Sequence, residues 1–251
     1  MNIGIIGFGN LGRALVQGLV RSGSAIPGSL FVCEKDPEGR ALAGAEPYRA
    51  EASEDVNLII DKSDVVFLTV KGYVFEELAA VIDRSKLASK IIVSFMAGVP
   101  FDRIYALIGE VALVRAMPSL AISVCDGVIG YTESPPEVEA IFRKLGYAFR
   151  VEPGALERVT AFSGCGLGFA AYLIDAFAQA GEAMGFSPEV SARIAASTFI
   201  NAAKRGDFKE TVKSVATPGG ATEQGVLHMG ERGVRDIVGQ AVQRAYDKMA
   251  N

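Results

Sequence analysis

The stretch that decides the fold is residues 2–15, NIGIIGFGNLGRAL. A short apolar run leads into Gly7, and the residues that follow have helical spacing up to a stop at Gly23. Three glycines form the pattern G-x-G-x-x-G between the two. Gly7 permits a tight turn, Gly9 lets a pyrophosphate approach the backbone, and Gly12 lets helix and strand pack closely. This context predicts a dinucleotide-binding turn made of Gly7, Phe8, Gly9, Asn10, Leu11 and Gly12.

The second predicted strand ends in charged residues that bear on the choice of dinucleotide. Glu34 follows Gly12 by about twenty residues, where an acidic side chain holds the ribose 2′-hydroxyl of NAD. Lys35 comes next and can pair with the 2′-phosphate of NADP. We therefore expect NAD(P)H as cofactor, with NADH weakly favoured because a carboxylate repels a phosphate. The alternative is that both residues form a solvated charge cluster.

Apolar runs alternate with helical patterns through the first half of the chain. The runs after the first are SLFVCEKD, DVVFLTVK, KIIVSFMAG, EVALVRAMP, GVIGYTE and YAFRVEP. This alternation predicts an α/β fold with a Rossmann-type, doubly wound parallel sheet. Val70 and Lys71 end one run at the sheet edge where ligands gather, so we expect both to contact the cofactor. The alternative for Lys71 is a solvated residue before a helix.

The pattern becomes helical after Pro153. Helices are predicted at roughly residues 158–184, 188–205, 207–215, 220–229 and 233–249. We therefore expect a dinucleotide-binding domain at 1–152 and an all-α domain at 153–251.

Composition excludes several classes of function. The formal net charge of −4 gives no electrostatic basis for binding nucleic acid. The three cysteines are scattered and odd in number, which indicates reduced thiols in the cytoplasm and no zinc or other metal site. The single histidine, His228, excludes chemistry built on paired histidines. We expect no signal peptide and no membrane association, because no apolar run approaches the roughly 18 residues of a spanning helix.

Six motifs in order carry a resemblance to a known family. They are IGIIGFGNLGRAL, DVVFLTVK, SFMAGV, VRAMPS, VTAFSGCGLGF and VATPGGATEQGV. The series resembles the pyrroline-5-carboxylate reductases over nearly the whole chain. The resemblance implies a Rossmann domain followed by a helical domain that interlocks with a second copy, giving a homodimer that can assemble further. It also implies hydride transfer from NAD(P)H to the C=N bond of a small cyclic imino acid, 1-pyrroline-5-carboxylate, to give L-proline.

The resemblance also implies the substrate-binding segments, which are glycine-rich. The first is Ser163, Gly164, Cys165 and Gly166, and the second runs from Thr217 through Gly219, Gly220, Ala221 and Thr222. Glycines there let substrate lie against backbone, and helix N-terminal N–H groups favour a carboxylate. Ser119 stands at a position that contacts the nicotinamide in the family.

Several residues depart from the family pattern near the expected substrate. Ser119 replaces an Asn, and Leu167 and Gly168 replace the Pro and Ala that follow the first glycine segment in the family. Tyr172 stands where a small residue is usual, and Glu223 follows the second segment, where an apolar residue is usual. We expect Tyr172 to be catalytic, its hydroxyl donating to the substrate nitrogen. The alternative is a Tyr that fills the pocket or packs at the dimer seam. Two other functions stay open: reduction of a different cyclic imine, and a non-catalytic, dinucleotide-binding regulatory role.

Overall fold

The computed structural model describes residues 1–250, and backbone contacts divide them into two compact units. The first contains residues 1–164 together with the end of the chain from Tyr246, and the second contains Cys165–Ala245. Residues just before Gly164 belong to the first unit because they pack on its sheet: Leu156 and Ala161 are buried there. This boundary lies later in the chain than the domain boundary predicted after residue 152. The predicted domain boundary stays a prediction.

An eight-stranded sheet forms the centre of the first unit, in the order β3-β2-β1-β4-β5-β6-β7-β8. The strands are β1 Ile3–Ile6, β2 Leu30–Cys33, β3 Glu51–Ser53, β4 Val65–Leu68, β5 Ile91–Ser94, β6 Ala112–Pro118, β7 Gly127–Tyr131 and β8 Gly146–Arg150. The first six strands are parallel to one another, which confirms the Rossmann-type fold.

The sheet differs from the expected all-parallel one at its last two strands. β7 runs antiparallel to β6, and β8 is parallel to β7. Only a short 3₁₀ turn, Leu120–Val124, joins β6 to β7. A parallel pair needs a crossover of a dozen or more residues, so the short connection forces the strand to reverse.

Helices cover both faces of this sheet. They are α1 Asn10–Arg21, α2 Pro37–Gly44, α3 Val56–Lys62, α4 Gly72–Ala79, α5 Phe101–Ile108, α6 Pro136–Leu145 and α7 Leu156–Val159. Alternate strand residues enter two separate cores, since successive side chains point to opposite faces. Ile5 and Phe67 belong to one core, and Ile6 and Leu68 to the other. The buried sheet therefore holds the ends of its central strands in fixed positions.

The predicted helix at 158–184 is interrupted. A π-helical turn occupies Thr160–Gly164, and the regular helix α8 begins only at Gly166. The second unit continues with α9 Pro188–Arg205, α10 Phe208–Val215, α11 Ala221–Glu231 and α12 Val234–Ala250, whose last turn returns to the first unit. Ser187 caps α9 by accepting from the Val190 N–H, and Pro188 occupies its first turn.

The second unit has almost no core of its own. Across residues 165–245, all of which the structure describes, only Ala178, Ser191 and Ala195 are buried. Large apolar side chains are exposed instead, among them Phe177, Met184, Ile194, Ile200, Phe208, Leu227 and Ile237. Exposed apolar surface of this extent marks an interaction site.

One helical stretch, Pro153–Ala183, is long and apolar enough to cross a bilayer by length and composition alone, with a mean hydropathy of 1.4. We expected no apolar run close to the length of a membrane-spanning helix. By length and mean hydropathy that expectation is wrong, because this stretch remains apolar despite isolated charges such as Asp175.

Candidate dinucleotide site

The glycine turn after β1 contains two glycines that pack and one that is open. Gly7 has a φ of +99°, and a Cβ there would lie 2.7 Å from Cγ1 of Val70. A Cβ on Gly12 would lie 2.1 Å from the carbonyl oxygen of Gly7. A Cβ on Gly9 would meet nothing within 4 Å. Gly7 and Gly12 thus allow the turn to pack closely, whereas Gly9 faces open space.

The N-terminus of α1 is free to receive an anion. Its N-cap residue, Gly9, provides no side-chain cap, and its first turn contains no acidic residue. The hydroxyl of Thr69 donates to the carbonyl of Gly7 at 2.7 Å and fixes the turn to the end of β4. Unpaired N–H groups and the positive end of the helix dipole favour a phosphate at this position.

A cavity of about 710 Å³ opens above this turn along the carboxyl ends of the central strands. Nine of the predicted cofactor residues line it: Gly7, Phe8, Gly9, Asn10, Leu11, Glu34, Lys35, Val70 and Lys71. Sequence reasoning missed another part of the wall, including Thr69, Phe95, Met96, Ala97, Met117, Pro118 and Leu120. Several of these follow β5 or end β6, so the rule that ligands bind at the carboxyl ends of strands identifies them.

Two predicted cofactor residues lie outside this cavity wall. Gly12 is buried in the first turn of α1, where its lack of a side chain serves packing. Ser119 is only 5% exposed, and its hydroxyl accepts a hydrogen bond from the Val128 N–H at 3.1 Å. That bond holds the Ser119 hydroxyl against β7. The contact predicted between Ser119 and the nicotinamide stays a prediction.

Glu34 reaches across the glycine turn. One carboxylate oxygen accepts from the Phe8 N–H at 2.8 Å, and the other accepts from the Asp36 N–H at 3.0 Å. Arg40 does not neutralise this carboxylate: it donates to the backbone carbonyl of Glu34 and lies 3.6 Å from Glu54. The negative charge of Glu34 is therefore fixed at the cavity wall, while Lys35 is exposed.

Cys33 lines the same cavity as an inert thiol. Burial, and secondarily the charge of Glu34, raises its pKa from 9.0 to about 11. The thiol is therefore protonated at neutral pH, and since the thiolate is the nucleophile, no covalent role follows for it.

These features together fit a dinucleotide. The cavity volume lies in the range of small-molecule and cofactor sites, and the open space at Gly9 meets an uncapped helix N-terminus. Glu34 offers acceptor oxygens suited to ribose hydroxyls.

The predicted substrate residues lie in both units. Ser163 and Gly164 end the π-helical turn in the first unit. In the second unit Cys165 is the N-cap residue of α8, and Gly166 begins the helix. Tyr172 follows on α8, with 74% of its surface exposed. His228 is likewise exposed, on α11.

The second glycine segment is more closed than the sequence predicts. Gly219 has a φ of +75°, and its N–H donates to a carboxylate oxygen of Glu223 at 2.7 Å. The Gly220 N–H donates to the Thr217 carbonyl at 2.9 Å. The N–H groups of both glycines are therefore paired within this segment. The N-cap residue of α11 is Gly220, and the substrate contacts predicted for this segment stay predictions.

Comparisons with known proteins cover the whole chain. Residues 154–251 match the family model described as pyrroline-5-carboxylate reductase dimerisation. Residues 2–98 match the model described as NADP oxidoreductase coenzyme F420-dependent.

Two similar structures have the same fold over nearly their full length. One is a Plasmodium falciparum pyrroline carboxylate reductase with NADP bound, at a TM-score of 0.89 and 21% identity, covering 100% of this chain and 97% of that one. The other is a Streptococcus pyogenes 1-pyrroline-5-carboxylate reductase, at a TM-score of 0.87 and 23% identity, covering 100% and 98%.

Curated relatives provide closer sequence matches. The pyrroline-5-carboxylate reductase of Aquifex aeolicus is 34% identical over 261 residues, covering 99% of this chain and 96% of the relative. The enzyme of the same name from Escherichia coli is 28% identical, covering 98% and 96%. The chain belongs to the pyrroline-5-carboxylate reductase family.

Proposed function

We propose that this protein reduces 1-pyrroline-5-carboxylate to L-proline with NAD(P)H. The observation that carries the proposal is an intact dinucleotide turn in a chain that matches enzymes of this name from end to end. When bound, the reduced nicotinamide supplies a hydride to the imine carbon, and the ring nitrogen gains a proton.

The chain's own contribution is binding, orientation and exclusion of water. The N-terminus of α1 and the open side of Gly9 bind the pyrophosphate. Apolar side chains after β5 and at the end of β6, such as Phe95, Met96 and Met117, form a wall of the cavity. Such a wall keeps water away from the hydride donor and holds the reactants in one geometry.

NADH is the preferred cofactor in this proposal. The carboxylate of Glu34 is held by the Phe8 and Asp36 N–H groups, so it is not free to swing away from a 2′-phosphate. Lys35 is the counter-argument, since an exposed cation can reach that phosphate. The fixed charge of Glu34 has the larger effect, because Lys35 loses side-chain entropy when it is held against the phosphate.

The substrate is expected at the two glycine-rich segments, Ser163–Gly166 and 217–222. The first-turn N–H groups of α11, at Ala221 and Thr222, are the donors for the substrate carboxylate, since Gly220 provides no side-chain cap. Tyr172 is the proposed proton donor to the ring nitrogen. Replacing it in the variant Tyr172→Phe keeps the ring shape and should lower kcat by about 10²-fold at unchanged NADH affinity.

The protein acts as a homodimer in the cytoplasm in this proposal, with further assembly open. The exposed apolar surface of residues 165–245 supports a partner copy, and the match to a dimerisation model covers the same residues. The free thiols of Cys33, Cys125 and Cys165 suit a reducing compartment.

A second candidate function is reduction of a cyclic imine other than 1-pyrroline-5-carboxylate. Glu223 favours it, because its carboxylate holds the Gly219 N–H and places a negative charge where a substrate carboxylate is expected. Such a charge disfavours an anionic substrate and tolerates a neutral one.

Steady-state kinetics of imine reduction by the purified protein distinguish the two proposed functions. NADH oxidation is followed with 1-pyrroline-5-carboxylate, 1-pyrroline and 2-methyl-1-pyrroline as substrates. The main proposal predicts the highest kcat/KM for the carboxylated imine. A higher kcat/KM for either neutral imine contradicts it and supports the second candidate.

A further inference from the structure

Arg13 lies near the start of α1, directly after the last glycine of the dinucleotide turn, and its side chain folds back onto that turn. Its Nε atom donates to the carbonyl oxygen of Phe8 at 2.9 Å, and its guanidinium carbon lies 5.7 Å from the centroid of the Phe8 ring. Within residues 1–250 the guanidinium forms no ion pair with an acidic side chain. Arg13 is not among the residues that line the dinucleotide cavity. Its contacts therefore reach a bound dinucleotide through Phe8.

Phe8 is held at its ring, its N–H and its carbonyl. The residue is 1% exposed, and its ring lies edge-on to that of Tyr48, with the two centroids 5.2 Å apart. Its N–H donates to the carboxylate of Glu34 at 2.8 Å, and its carbonyl accepts from Arg13. The side chain of Arg13 thus contacts the residue that anchors Glu34 at the cavity wall.

The carbonyl that Arg13 holds belongs to the same peptide group as the N–H of Gly9. A trans peptide group is planar, so its C=O and N–H bonds point in opposite directions. Holding the Phe8 oxygen therefore directs the Gly9 N–H away from Arg13. Within residues 1–250 that N–H has no protein acceptor, and Gly9 lines the cavity. A charged donor on the carbonyl also polarises the peptide group and strengthens its N–H as a donor.

We propose that Arg13 is a positioning residue for the dinucleotide. Through the peptide group between Phe8 and Gly9, it aims the Gly9 N–H at the pyrophosphate. Through Phe8 itself, it also holds the N–H that anchors the carboxylate of Glu34. The first effect strengthens the binding of any dinucleotide, and the second keeps the negative charge at the 2′ position of the ribose. The inference rests on the proposed use of NAD(P)H and extends cofactor recognition to a residue outside the cavity wall.

Three variants of the full-length protein test the effect on affinity, with NADH dissociation constants measured by fluorescence titration. Arg13→Met keeps a long side chain without donor or charge, and should weaken NADH about tenfold, as for loss of a charge-assisted hydrogen bond. Arg13→Lys keeps the charge but lacks the planar guanidinium that donates and stacks at once, so it should weaken NADH at least about threefold. The control Arg21→Met removes the same charge from the exposed last turn of α1 and should bind NADH as the unmodified protein does.

Unchanged NADH affinity in Arg13→Met overturns the proposal. Unchanged affinity in Arg13→Lys overturns it as well, because a positive charge without the guanidinium contacts would then be sufficient. The lysine variant decides the matter if the methionine variant does not fold.

The ratio of the NADPH and NADH dissociation constants separates positioning from a general loss of structure. Partial unfolding weakens both dinucleotides by the same factor. A Glu34 carboxylate that is no longer anchored loses its hydrogen bond to the ribose of NADH and its repulsion of the NADPH phosphate. The ratio in Arg13→Met should therefore shift at least about threefold toward NADPH. Equal weakening of the two dinucleotides overturns the proposal.

These measurements report binding to the resting protein and are independent of the chemical step. Imine reduction by a protein whose NADH affinity does not depend on Arg13 would contradict this inference alone. NADH binding that depends on Arg13, without imine reduction, would contradict the proposed function alone. An unmodified protein that binds neither dinucleotide would contradict both.

Discussion

Among single residues, Glu34 has the largest consequence for cofactor choice. Its two carboxylate oxygens accept from backbone N–H groups on either side, at Phe8 and Asp36. These bonds fix the carboxylate at the wall of the dinucleotide cavity. A ribose hydroxyl can donate to such an oxygen, whereas a 2′-phosphate meets a like charge.

We expect the unmodified protein to bind NADH at least as tightly as NADPH. Removing the carboxylate in Glu34→Ala should shift the ratio of the two dissociation constants toward NADPH, because the repulsion disappears. Fluorescence titration of both dinucleotides measures the ratio. The matched control is Glu38→Ala, which removes an exposed charge nearby that does not line the cavity. A tenfold or larger NADPH preference of the unmodified protein, about 1.4 kcal/mol, shows that Lys35 dominates instead.

Among the elements, the turn between β1 and α1 separates packing from binding. A methyl group on Gly12 would collide with the Gly7 carbonyl, whereas one on Gly9 would project into open space. Backbone torsion does not penalise alanine at Gly9, whose φ is −70°. The two glycines of one motif thus have different physical roles.

Paired alanine substitutions test this separation. Gly12→Ala should lower the free energy of unfolding by about 1–3 kcal/mol, as overpacking does. Gly9→Ala should leave the melting temperature unchanged and weaken NADH binding about tenfold, since its methyl group occupies the space of the pyrophosphate. Thermal unfolding and NADH titration are measured on both variants. A destabilised Gly9→Ala protein, or a fully stable Gly12→Ala protein, would contradict these roles.

Most elements of the first unit could be predicted because their strands are apolar on both faces. The strand β3, Glu51–Ser53, was missed because it is three residues long, lies at the sheet edge and contains no apolar run. The reversal of β7 could not be predicted from composition, because an apolar run does not specify strand direction. The bonds of Ser119 to Val128 and of Glu223 to Gly219 depend on turn geometry that spacing does not reveal.

In the whole molecule, the second unit cannot bury its own apolar surface. Three of its residues are buried, all of them small, and many of its large apolar side chains are exposed. Apolar surface contributes to stability at roughly 25 cal/mol per Å² removed from water, so these exposed side chains contribute little to the stability of the unit alone. Contact with the surface of a partner would bury these apolar side chains.

We expect a stable dimer that a single charge in the second unit weakens. Ile194→Glu places a carboxylate on α9 where the side chain is 46% exposed, and should raise the dimer dissociation constant strongly because the charge is desolvated at the interface. Light scattering at micromolar concentration measures the mass. Ile26→Glu, at a 68% exposed position of the first unit, is the control and should remain dimeric. A monomeric unmodified protein would contradict the expectation.

The most direct measurement of the proposed reaction follows the hydride itself. The protein is incubated with 1-pyrroline-5-carboxylate and NADH that carries deuterium at the transferred position of nicotinamide C4, and the product is analysed by mass spectrometry. Direct transfer predicts L-proline with one deuterium at the ring carbon that was the imine carbon. Failure to form L-proline while NADH binds, or L-proline without deuterium, would contradict the proposed function.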